Sequence, residues 1–463
     1  MKYDIIIIGS GPGGYVAAIR ASQLGKKIAI IEKAELGGIC LNWGCIPTKS
    51  LLKSAQVFNY AQHAADYGIS IDGNINPDLA EMVKRSRGVA ESMSKGVQYL
   101  LKKNKVEVIV GIGKILKDKK VEVTDKKGKS ANYDADHIII ATGAHSRELP
   151  NLKQDGKKII GYREALVLNK MPKKMVVVGS GAIGSEFAYF FNTIGVEVTL
   201  VEFMSNIIPL EDEEVSKALA RSFKKAKMKI MLDSTVEKVD TSGDICKVSI
   251  NTKKGIVDVD ADIVLSAVGI TTNIEGIGLE DVGIETDMGK IVVDDFYQTN
   301  INGYYAIGDV VHGPALAHLA SHEGITCVEK IAGIDVEPID YGNIPACTYT
   351  SPEVASVGLT DKQAIEAGYE IKVGKFPFTA SGKASAAGKR DGFIKVVFDA
   401  KYGEWLGCQM IGDNVTEMIS EVVAARKLET TGHEIIKTIH PHPTMSEAVM
   451  EAVAAAYDEV IHL

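Results

Sequence analysis

One glycine pattern occurs twice in the sequence, and this repeat limits the possible folds more than any other feature. The stretch "IIIIGSGPGG" carries G-x-G-x-x-G from Gly9, and "MVVVGSGAIG" carries it from Gly179. After each turn come a helical stretch and a second apolar strand, which ends in Glu32 in the first unit and in Glu202 in the second. The distance from Gly9 to Glu32 and from Gly179 to Glu202 is 23 positions in both units. Strand, glycine turn, helix and acid-terminated strand favour a dinucleotide site over a glycine-rich turn without a ligand. Two such units predict two dinucleotides, the arrangement in which a flavin and a nicotinamide meet.

The pattern glycines have distinct roles in such a unit. One makes the tight turn, one lets the backbone approach a pyrophosphate, and one packs the helix on the strand. The free N–H groups of the helix N-terminus then face the phosphates, and the closing carboxylate accepts hydrogen bonds from a ribose. The pattern residues are Gly9, Gly11 and Gly14 in the first unit, and Gly179, Gly181 and Gly184 in the second.

Glu202 also indicates which nicotinamide binds. A carboxylate at this position suits the two free ribose hydroxyls of NAD and repels the additional phosphate of NADP. No Lys or Arg follows Glu202 before Lys217. We therefore expect NAD.

Two cysteines with four residues between them, Cys40 and Cys45, follow the first nucleotide unit in "GGICLNWGCIPTKS". A zinc site needs four ligands, usually in close pairs, and the other four cysteines are isolated. A bridge across so short a loop removes only about 2 kcal/mol of unfolded-state entropy in the loop model, which makes a structural staple a poor explanation. A redox pair is favoured, because a helix predicted from this segment onward would place both thiols near its N-terminus, where thiolates are stabilised.

The spacing of this pair has a structural consequence. Residues five apart in an ideal helix have Cα atoms roughly 8.6 Å apart, which is beyond disulfide reach. If the two cysteines bridge, the helix must be distorted or start later, and Gly44 supplies the needed backbone freedom.

A candidate base lies near the C-terminus in "TIHPHPTMSEAVMEA". There His442 and Glu447 flank a turn, and a His oriented by a carboxylate can activate a thiol. A surface turn with histidines between prolines is the alternative.

Bulk properties narrow the function classes. A length of 463 residues predicts about three domains, and the net charge of −8 argues against a nucleic-acid partner. The longest apolar runs are strand-sized, so no membrane span is expected. The N-terminus reaches Gly9 too soon for a signal peptide, and we expect a cytoplasmic protein, in which a surviving disulfide is more often catalytic than structural.

The expected fold class is α/β, with two Rossmann-like dinucleotide-binding domains and a C-terminal α+β domain. The similar segments Ala135–Arg147 and Ala261–Asn273 would each close a nucleotide domain and cross over at a glycine. The strand in "INGYYAIGDV" would return the chain to the first domain, with Asp309 facing the sugar chain of the flavin. We therefore predict an FAD-binding domain over 1–146 and 271–340, an inserted NAD-binding domain over 147–270, and a third, α+β domain over 341–463, to which the family resemblance given below assigns the interface of a dimer. In the domain over 341–463 we expect strands at "IKVGKFPF", "GFIKVVFD" and "EWLGCQMIG", and helices at Val415–Leu428 and Ser446–Val460.

Six motifs in order make the chain resemble the flavin-dependent pyridine nucleotide–disulfide oxidoreductases over essentially its full length. They are "GGICLNWGCIPTK", "ATG", the second glycine pattern with "IGSEFA", "AIGD", "TSPEVASVGLT" and "HPHPTMSE". The resemblance is strongest to members that oxidise dihydrolipoamide with NAD, because the basic residues usual after the second pattern in NADP-linked members are missing. Mercuric reductases end in paired cysteines, whereas this chain ends "YDEVIHL".

The resemblance implies a role for each matching residue. Cys40 would be the interchange thiol that meets the substrate, and Cys45 the thiol that faces the flavin. Lys49 would lie near the reactive nitrogen of the flavin, with Glu186 as its ion-pair partner. His442, held by Glu447, would be the base, and in a homodimer it would serve the cysteines of the other subunit.

The resemblance also implies the cofactor contacts and shows two departures. Trp43 stands where the family often has a small β-branched residue, and Ile270–Asn273 stands where it often has a basic residue and a proline. The contacts expected with FAD are Gly9, Gly11, Pro12, Gly13, Gly14, Glu32, Lys33, Gly38, Cys40, Lys49, Gly113, Thr142, Gly143, Asp309 and Ala317, and those with NAD are Gly179, Gly181, Ile183, Gly184, Glu186, Glu202, Val236 and Gly269. No metal is expected.

The function implied is FAD-dependent oxidation of protein-bound dihydrolipoamide to lipoamide, with reduction of NAD, through a Cys40–Cys45 disulfide. The expected partner is the lipoyl-bearing acyltransferase of a 2-oxo acid dehydrogenase complex or the carrier protein of glycine cleavage. Two alternatives stay open: an NAD(P)H-dependent reductase of another small disulfide, and a mainly docking subunit of such a complex.

Overall fold

The first sheet of the computed structural model, which describes residues 2–463, is built around three neighbouring parallel strands. Ile5 lies opposite Ile28 on one side and His137 on the other. In spatial order the strands run β3-β2-β1-β6-β5-β4. The elements of this part are β1 (Lys2–Ile8), α1 (Pro12–Gln23), β2 (Ile28–Glu32), α2 (Gly38–Trp43), α3 (Cys45–Gln62), α4 (Leu79–Lys103), β3 (Glu107–Val110), β4 (Ile112–Leu116), β5 (Lys120–Thr124), β6 (Ser130–Ile140) and β7 (Ala144–Ser146).

The second glycine pattern belongs to a five-stranded parallel sheet of strand order β11-β10-β9-β15-β8, beside a three-stranded antiparallel sheet, β12-β13-β14. A two-stranded ribbon of β7 and β16 connects this part to the first, with Ile270 opposite Ser146. Its elements are β8 (Ile159–Ile160), α5 (Tyr162–Ala165), β9 (Lys174–Val178), α6 (Ala182–Thr193), β10 (Glu197–Val201), α7 (Glu213–Lys225), β11 (Lys229–Met231), β12 (Thr235–Asp240), β13 (Cys246–Thr252), β14 (Gly255–Ala261), β15 (Ile263–Ser266) and β16 (Ile270–Thr272).

The chain then returns to the first sheet, as the sequence predicted. Tyr304 pairs with Ile138, which places β19 parallel to β6, and a 3₁₀ turn follows at Gly308–Val310. Gly324 lets the next helix pack against α1, because a Cβ there would lie 2.7 Å from the Gly13 carbonyl oxygen. The elements are α8 (Leu279–Val282), β17 (Thr286–Asp287), β18 (Lys290–Ile291), β19 (Tyr304–Ala306) and α9 (Ala317–Ile331).

The last part is an antiparallel sheet, β20-β21-β24-β23-β22, covered by helices. The three expected strands are present. The helix expected to reach Val460 ends at Ala456, because Asp458 takes a left-handed backbone with φ +58°. The elements are β20 (Ala346–Thr348), β21 (Glu353–Gly358), α10 (Asp361–Glu366), β22 (Ile371–Pro377), α11 (Gly382–Ala386), β23 (Phe393–Asp399), β24 (Trp405–Gly412), α12 (Val415–Lys427), α13 (Gly432–Lys437) and α14 (Glu447–Ala456).

One apolar cluster joins the three parts and fixes the helix that carries the second cysteine. Leu51 of α3, Phe187 of α6 and Ile411 of β24 are all buried in it. Burial of side chains of this size contributes roughly 1.5–3 kcal/mol each relative to exposure. The α/β class is thus confirmed, with a mixed first sheet, a parallel second sheet and a C-terminal α+β part, whereas the exact domain boundaries remain a prediction. Within residues 2–463, no helix is long and apolar enough to cross a membrane.

Candidate active site

The two glycine turns have nearly the same backbone geometry. Gly9 has φ +105° and Gly179 has φ +95°, in the region that disfavours residues with a side chain. A Cβ on Gly9 would lie 2.1 Å from the Ala141 carbonyl oxygen, and one on Gly179 would lie 2.4 Å from that of Ala267. Each turn therefore requires glycine for conformation and for space.

The third glycine of each pattern is equally constrained. A Cβ on Gly14 or Gly184 would lie 1.9 Å from the carbonyl oxygen of Gly9 or Gly179. Pro12 occupies the start of α1, where no backbone N–H is needed. Both helices therefore begin directly at a bare backbone turn, with their first N–H groups available to an anion.

The closing carboxylates Glu32 and Glu202 are fixed by the turns themselves. Oε2 of Glu32 accepts from the Ser10 backbone N–H at 3.0 Å and from its hydroxyl at 2.6 Å. Oε2 of Glu202 accepts the same two bonds from Ser180, at 2.8 and 2.7 Å. In each case Oε1 accepts the backbone N–H two residues further on, at 2.9 Å. Both acids are thus held in one orientation at the ends of β2 and β10.

A cavity of about 1640 Å³ runs from the first glycine turn to the cysteines. This exceeds the few hundred to roughly 1,000 Å³ of an ordinary small-ligand pocket, as a dinucleotide requires. All fifteen residues expected to contact FAD line it, as do Ile183 and Glu186 of the NAD set. The other six NAD candidates lie outside the cavity, around the carboxyl ends of β9, β10 and β15 and at β12: Gly179, Gly181, Gly184, Glu202, Val236 and Gly269.

The cysteine pair lies where one short helix stops and a long one starts. The helix α2 ends at Trp43, Gly44 leaves the helical region with φ −141° and ψ −113°, and α3 starts at Cys45. The Cα atoms of Cys40 and Cys45 are 4.7 Å apart, and the two residues form a disulfide. The interruption at Gly44 is the one that the spacing required. Among residues 2–463, no three His, Cys, Asp or Glu side chains are grouped to hold a metal ion.

An ion pair lies one helical turn beyond the disulfide. Lys49 Nζ is 2.9 and 2.8 Å from the two carboxylate oxygens of Glu186 on α6. The Glu186 side chain is only 5% exposed, and it also accepts the Tyr349 backbone N–H at 3.0 Å. The Tyr349 ring lies under the ammonium, 4.3 Å from its centroid. Tyr349 was not among the predicted site residues, because nothing in its local sequence marks it.

Trp43, the first departure from the family pattern, stacks with two arginines. The guanidinium carbon of Arg87 is 4.1 Å from a ring of Trp43, and that of Arg163 is 5.1 Å away. Arg87 also donates to the Asn42 carbonyl oxygen, next to the indole. Burial lowers the pKa of Arg87, partly offset by Glu35. Such stacking is worth roughly 0.5–2 kcal/mol per cation, and it holds α2 against α4.

A buried carboxylate that was not predicted from the sequence, that of Glu323, lies behind Asp309. Glu323 of α9 accepts the Gly308 backbone N–H at 2.6 Å and the Tyr341 hydroxyl at 2.8 Å. Burial raises the pKa of Glu323, with these bonds in opposition. Burial also raises the pKa of Asp309, which lines the cavity. The buried Glu323 therefore fixes the turn that aims Asp309 into the cavity.

His442 and Glu447 meet, but away from this cavity. His442 Nδ1 is 2.8 Å from Glu447 Oε1, and the Thr444 backbone N–H donates to Oε2 at 2.8 Å. Burial alone would raise the pKa of Glu447, but these two hydrogen bonds outweigh it and lower the pKa. The His442 side chain is 79% exposed and does not line the cavity that contains Cys40 and Cys45 of its own chain.

Comparison with known proteins agrees with this geometry. The family model "Pyridine nucleotide-disulphide oxidoreductase" matches residues 3–324, and the model of its dimerisation domain matches residues 344–453. Dihydrolipoyl dehydrogenase of Rhizobium etli is 49% identical, covering 100% of this chain and 99% of the relative. The enzyme of the same name from Zymomonas mobilis is also 49% identical, with 99% of each chain covered. Among solved structures, LpdA of Mycobacterium tuberculosis superposes with a TM-score of 0.91 at 26% identity, covering 98% of this chain and 99% of that one. The chain belongs to the pyridine nucleotide–disulphide oxidoreductase family and, within it, to the dihydrolipoyl dehydrogenases.

Proposed function

We propose that the protein oxidises protein-bound dihydrolipoamide to lipoamide and reduces NAD, with FAD as its resident cofactor. The observation that carries the proposal is the Cys40–Cys45 disulfide at the start of α3, in the wall of a dinucleotide-sized cavity. The ion pair of Lys49 with Glu186 lies one turn further along the same helix. A disulfide with a purely structural role would need neither the cavity nor the buried ion pair.

The residues present fit FAD. Gly9 and Gly14 leave a bare turn for a pyrophosphate, Glu32 is oriented to bind a ribose, and Asp309 faces the cavity. The second turn repeats this geometry, and the hydrogen bonds from Ser180 to Glu202 support NAD binding with Glu202 as the ribose ligand. Bound there, FAD would supply the two-electron chemistry that links the reduced cysteine pair to NAD.

The protein residues handle the thiol chemistry. His442 takes a proton from one substrate thiol, and the thiolate attacks Cys40 Sγ. The Cys40–Cys45 bond breaks, a mixed disulfide forms at Cys40, and Cys45 leaves as a thiolate. The second substrate thiol attacks the substrate sulfur of the mixed disulfide and gives its proton to Cys40, so lipoamide leaves and Cys40 becomes a thiol, while Cys45 stays a thiolate and His442 keeps the first proton. The cysteine pair then holds the two electrons that the substrate has lost.

We propose that the working unit is a homodimer in which His442 serves the cavity of the other subunit. The dimerisation-domain match over 344–453 supports a dimer. His442 is exposed and is held by Glu447 away from the disulfide of its own chain, which supports a dimer in which each His442 serves the cavity of the other subunit. A lipoyl-bearing acyltransferase or glycine cleavage carrier would present the substrate. A cytoplasmic location stays a prediction.

Two other functions would use the same fold. A reductase of another small disulfide would keep the cysteines and the base and would differ only in the substrate accepted. A docking subunit would need neither the Cys40–Cys45 pair nor the His442–Glu447 pair. Both pairs are formed in this chain, which favours catalysis.

Anaerobic addition of dihydrolipoamide to the purified flavoprotein tests the proposal. We expect a long-wavelength thiolate–flavin absorption band, followed by formation of NADH when NAD is added. The Cys45→Ser variant should give no such band while it retains its flavin. Absence of both signals in the wild type, with rapid reduction of a different small disulfide by NADH, would favour the first alternative.

A further inference from the structure

The turn between α13 and α14 is tied to two different helices by two histidines. His442 contacts Glu447 in the first turn of α14. His440, two residues earlier, contacts α12, because its Nε2 is 2.7 Å from Glu421 Oε1. The function proposed above uses His442 and Glu447, but it assigns nothing to His440 or Glu421.

The ring of His440 has only acceptors around it. Its Nδ1 is 3.1 Å from the Thr438 carbonyl oxygen, and its Nε2 faces the Glu421 carboxylate. A carbonyl oxygen and a carboxylate accept hydrogen bonds but do not donate, and an imidazole that donates from both nitrogens is a cation. The His440 side chain is 5% exposed, so the charge is shielded from water. The hydrogen bond to Glu421 raises the pKa of His440, in opposition to burial.

The helix that holds His440 also forms part of the cavity wall. Thr416, Ser420 and Val423 of α12 line the cavity that contains the disulfide. Glu421 follows Ser420 directly, so one helix contributes to the wall of its own cavity and holds the turn that carries His442. In the dimer proposed above, α12 thus belongs to one site and supports the base of the other.

We propose that the ion pair between His440 and Glu421 is a positioning unit that fixes the turn carrying His442, so that the base is aligned with the disulfide of the other subunit. This inference rests on the proposed function. The charged groups facing His440 are Glu421 from α12 and Glu447 from α14, and Glu447 in turn contacts His442. Neither His440 nor Glu421 would touch the substrate thiols.

A matched control exists in the same part of the chain. His462 contacts Glu451 of α14 through a similar imidazole–carboxylate hydrogen bond. Its side chain is 70% exposed, and it lies at the C-terminus, outside the turn that carries His442. The His462→Asn variant therefore removes a His–Glu pair without touching that turn.

The test compares the two half-reactions of the holoenzyme by anaerobic stopped-flow. His440→Gln keeps an amide group that can donate to Glu421 but carries no charge, and Glu421→Gln removes the charge of the acceptor. We expect each variant to slow flavin reduction by dihydrolipoamide about 10-fold, with reduction by NADH changed less than about 2-fold. If the pair acts as a unit, the double variant should be no slower than either single variant. His462→Asn should match the wild type in both half-reactions.

A pH profile separates the charged pair from simple packing. The pKa of His440 is raised, so the ion pair is fully present at pH values below about 6.5 and is lost as the pH rises through the raised pKa. The ratio of the wild-type rate to the His440→Gln rate in the dihydrolipoamide half-reaction should therefore fall towards one as the pH rises. Titration of the substrate thiols cancels in this ratio.

The contrary outcomes separate a failure of the proposed function from a failure of the positioning role. A wild type that dihydrolipoamide cannot reduce would overturn the proposed function and this inference with it. An active wild type with equally active His440→Gln and Glu421→Gln variants would overturn the positioning role alone. The same holds for additive losses in the double variant, for equal slowing of the NADH half-reaction, and for a rate ratio that does not change with pH.

Discussion

The ammonium of Lys49 lies 2.8 Å from the Glu186 carboxylate, so the helix that begins at Cys45 is joined directly to the helix of the second glycine turn. The two residues are 137 positions apart in the chain. Their pairing brings the second dinucleotide unit to the cavity that holds the disulfide, and Ala182, Ile183, Glu186 and Phe187 of that unit line it.

Replacing Lys49 should destabilise the protein more than its partial exposure indicates. In Lys49→Met, the buried Glu186 carboxylate keeps the Tyr349 N–H but loses its cation, which should cost about 2 kcal/mol. Urea unfolding of the holoprotein, with flavin content determined in parallel, measures this loss. Lys53→Met, one turn further along α3 on an exposed lysine, is the control and should stay within about 0.5 kcal/mol of the wild type. Equal losses in both variants would contradict the importance of the pair.

Two glycines of the first turn should respond differently to alanine. The new Cβ in Gly14→Ala would lie 1.9 Å from a backbone oxygen, whereas the one in Gly11→Ala would meet nothing within 4 Å. We expect Gly14→Ala to lose about 3 kcal/mol of folding free energy with or without flavin. Gly11→Ala should fold normally and bind FAD at least about 10-fold more weakly, because the methyl group would occupy the space that a pyrophosphate needs. Thermal unfolding of the apoproteins and flavin titration distinguish these effects, and equal FAD affinity in Gly11→Ala and the wild type would contradict the assigned pyrophosphate position.

Local sequence was sufficient to predict those features of the site whose physical constraint is itself local. The turns at Gly9 and Gly179 and the helix interruption at Gly44 follow from spacing and backbone geometry within about twenty residues. Tyr349 reaches Glu186 from 163 positions away, and no local pattern encodes such a contact. The same is true of Arg163, which stacks on Trp43 across the cavity wall.

The contacts that support His442, the proposed base, also show that local sequence does not reveal long-range contacts. The short spacing of His442 and Glu447 made their contact foreseeable, because both flank a single turn. The hydrogen bond of His440 to Glu421 depends on how α12 packs against that turn. Tertiary packing, which the sequence pattern does not reveal, therefore determines which residues support the predicted site.

The cysteines of the cavity should differ sharply in function. Cys40→Ser and Cys45→Ser should each lower dihydrolipoamide oxidation at least about 1,000-fold with FAD retained, because the exchange needs both sulfurs. Cys347 also lines the cavity, but burial raises its pKa to about 12, so it stays a protonated, weakly nucleophilic thiol at neutral pH. Cys347→Ser should keep activity within about 3-fold of the wild type. Steady-state turnover with NAD measures all three variants, and substantial activity in either Cys40→Ser or Cys45→Ser would exclude the disulfide mechanism.

The largest stability loss is expected at a buried lysine far from the cavity. The Lys395 side chain is 2% exposed, with its ammonium 2.6 Å from Asp212 and 3.2 Å from Glu214. Lys395→Met would leave the buried Asp212 carboxylate without its cation and should cost about 3–5 kcal/mol. Lys375→Met, which removes a 42% exposed partner of Glu214, should cost less than about 1 kcal/mol.

The pH dependence of the stability difference between the wild type and Lys395→Met tests whether this difference is electrostatic in origin. Burial alone would lower the pKa of Lys395, but the hydrogen bond to Asp212 and the surrounding carboxylates outweigh burial and raise the pKa above 10.5. The contribution of Lys395 is therefore complete from neutral pH to about pH 10 and is lost as the pH rises through the raised pKa. Denaturant unfolding of the wild type and Lys395→Met should give a constant difference in free energy up to about pH 10 and a shrinking one above it. A difference that persists unchanged at higher pH would assign the loss to packing of the lysine side chain, because a packing contribution does not depend on its charge.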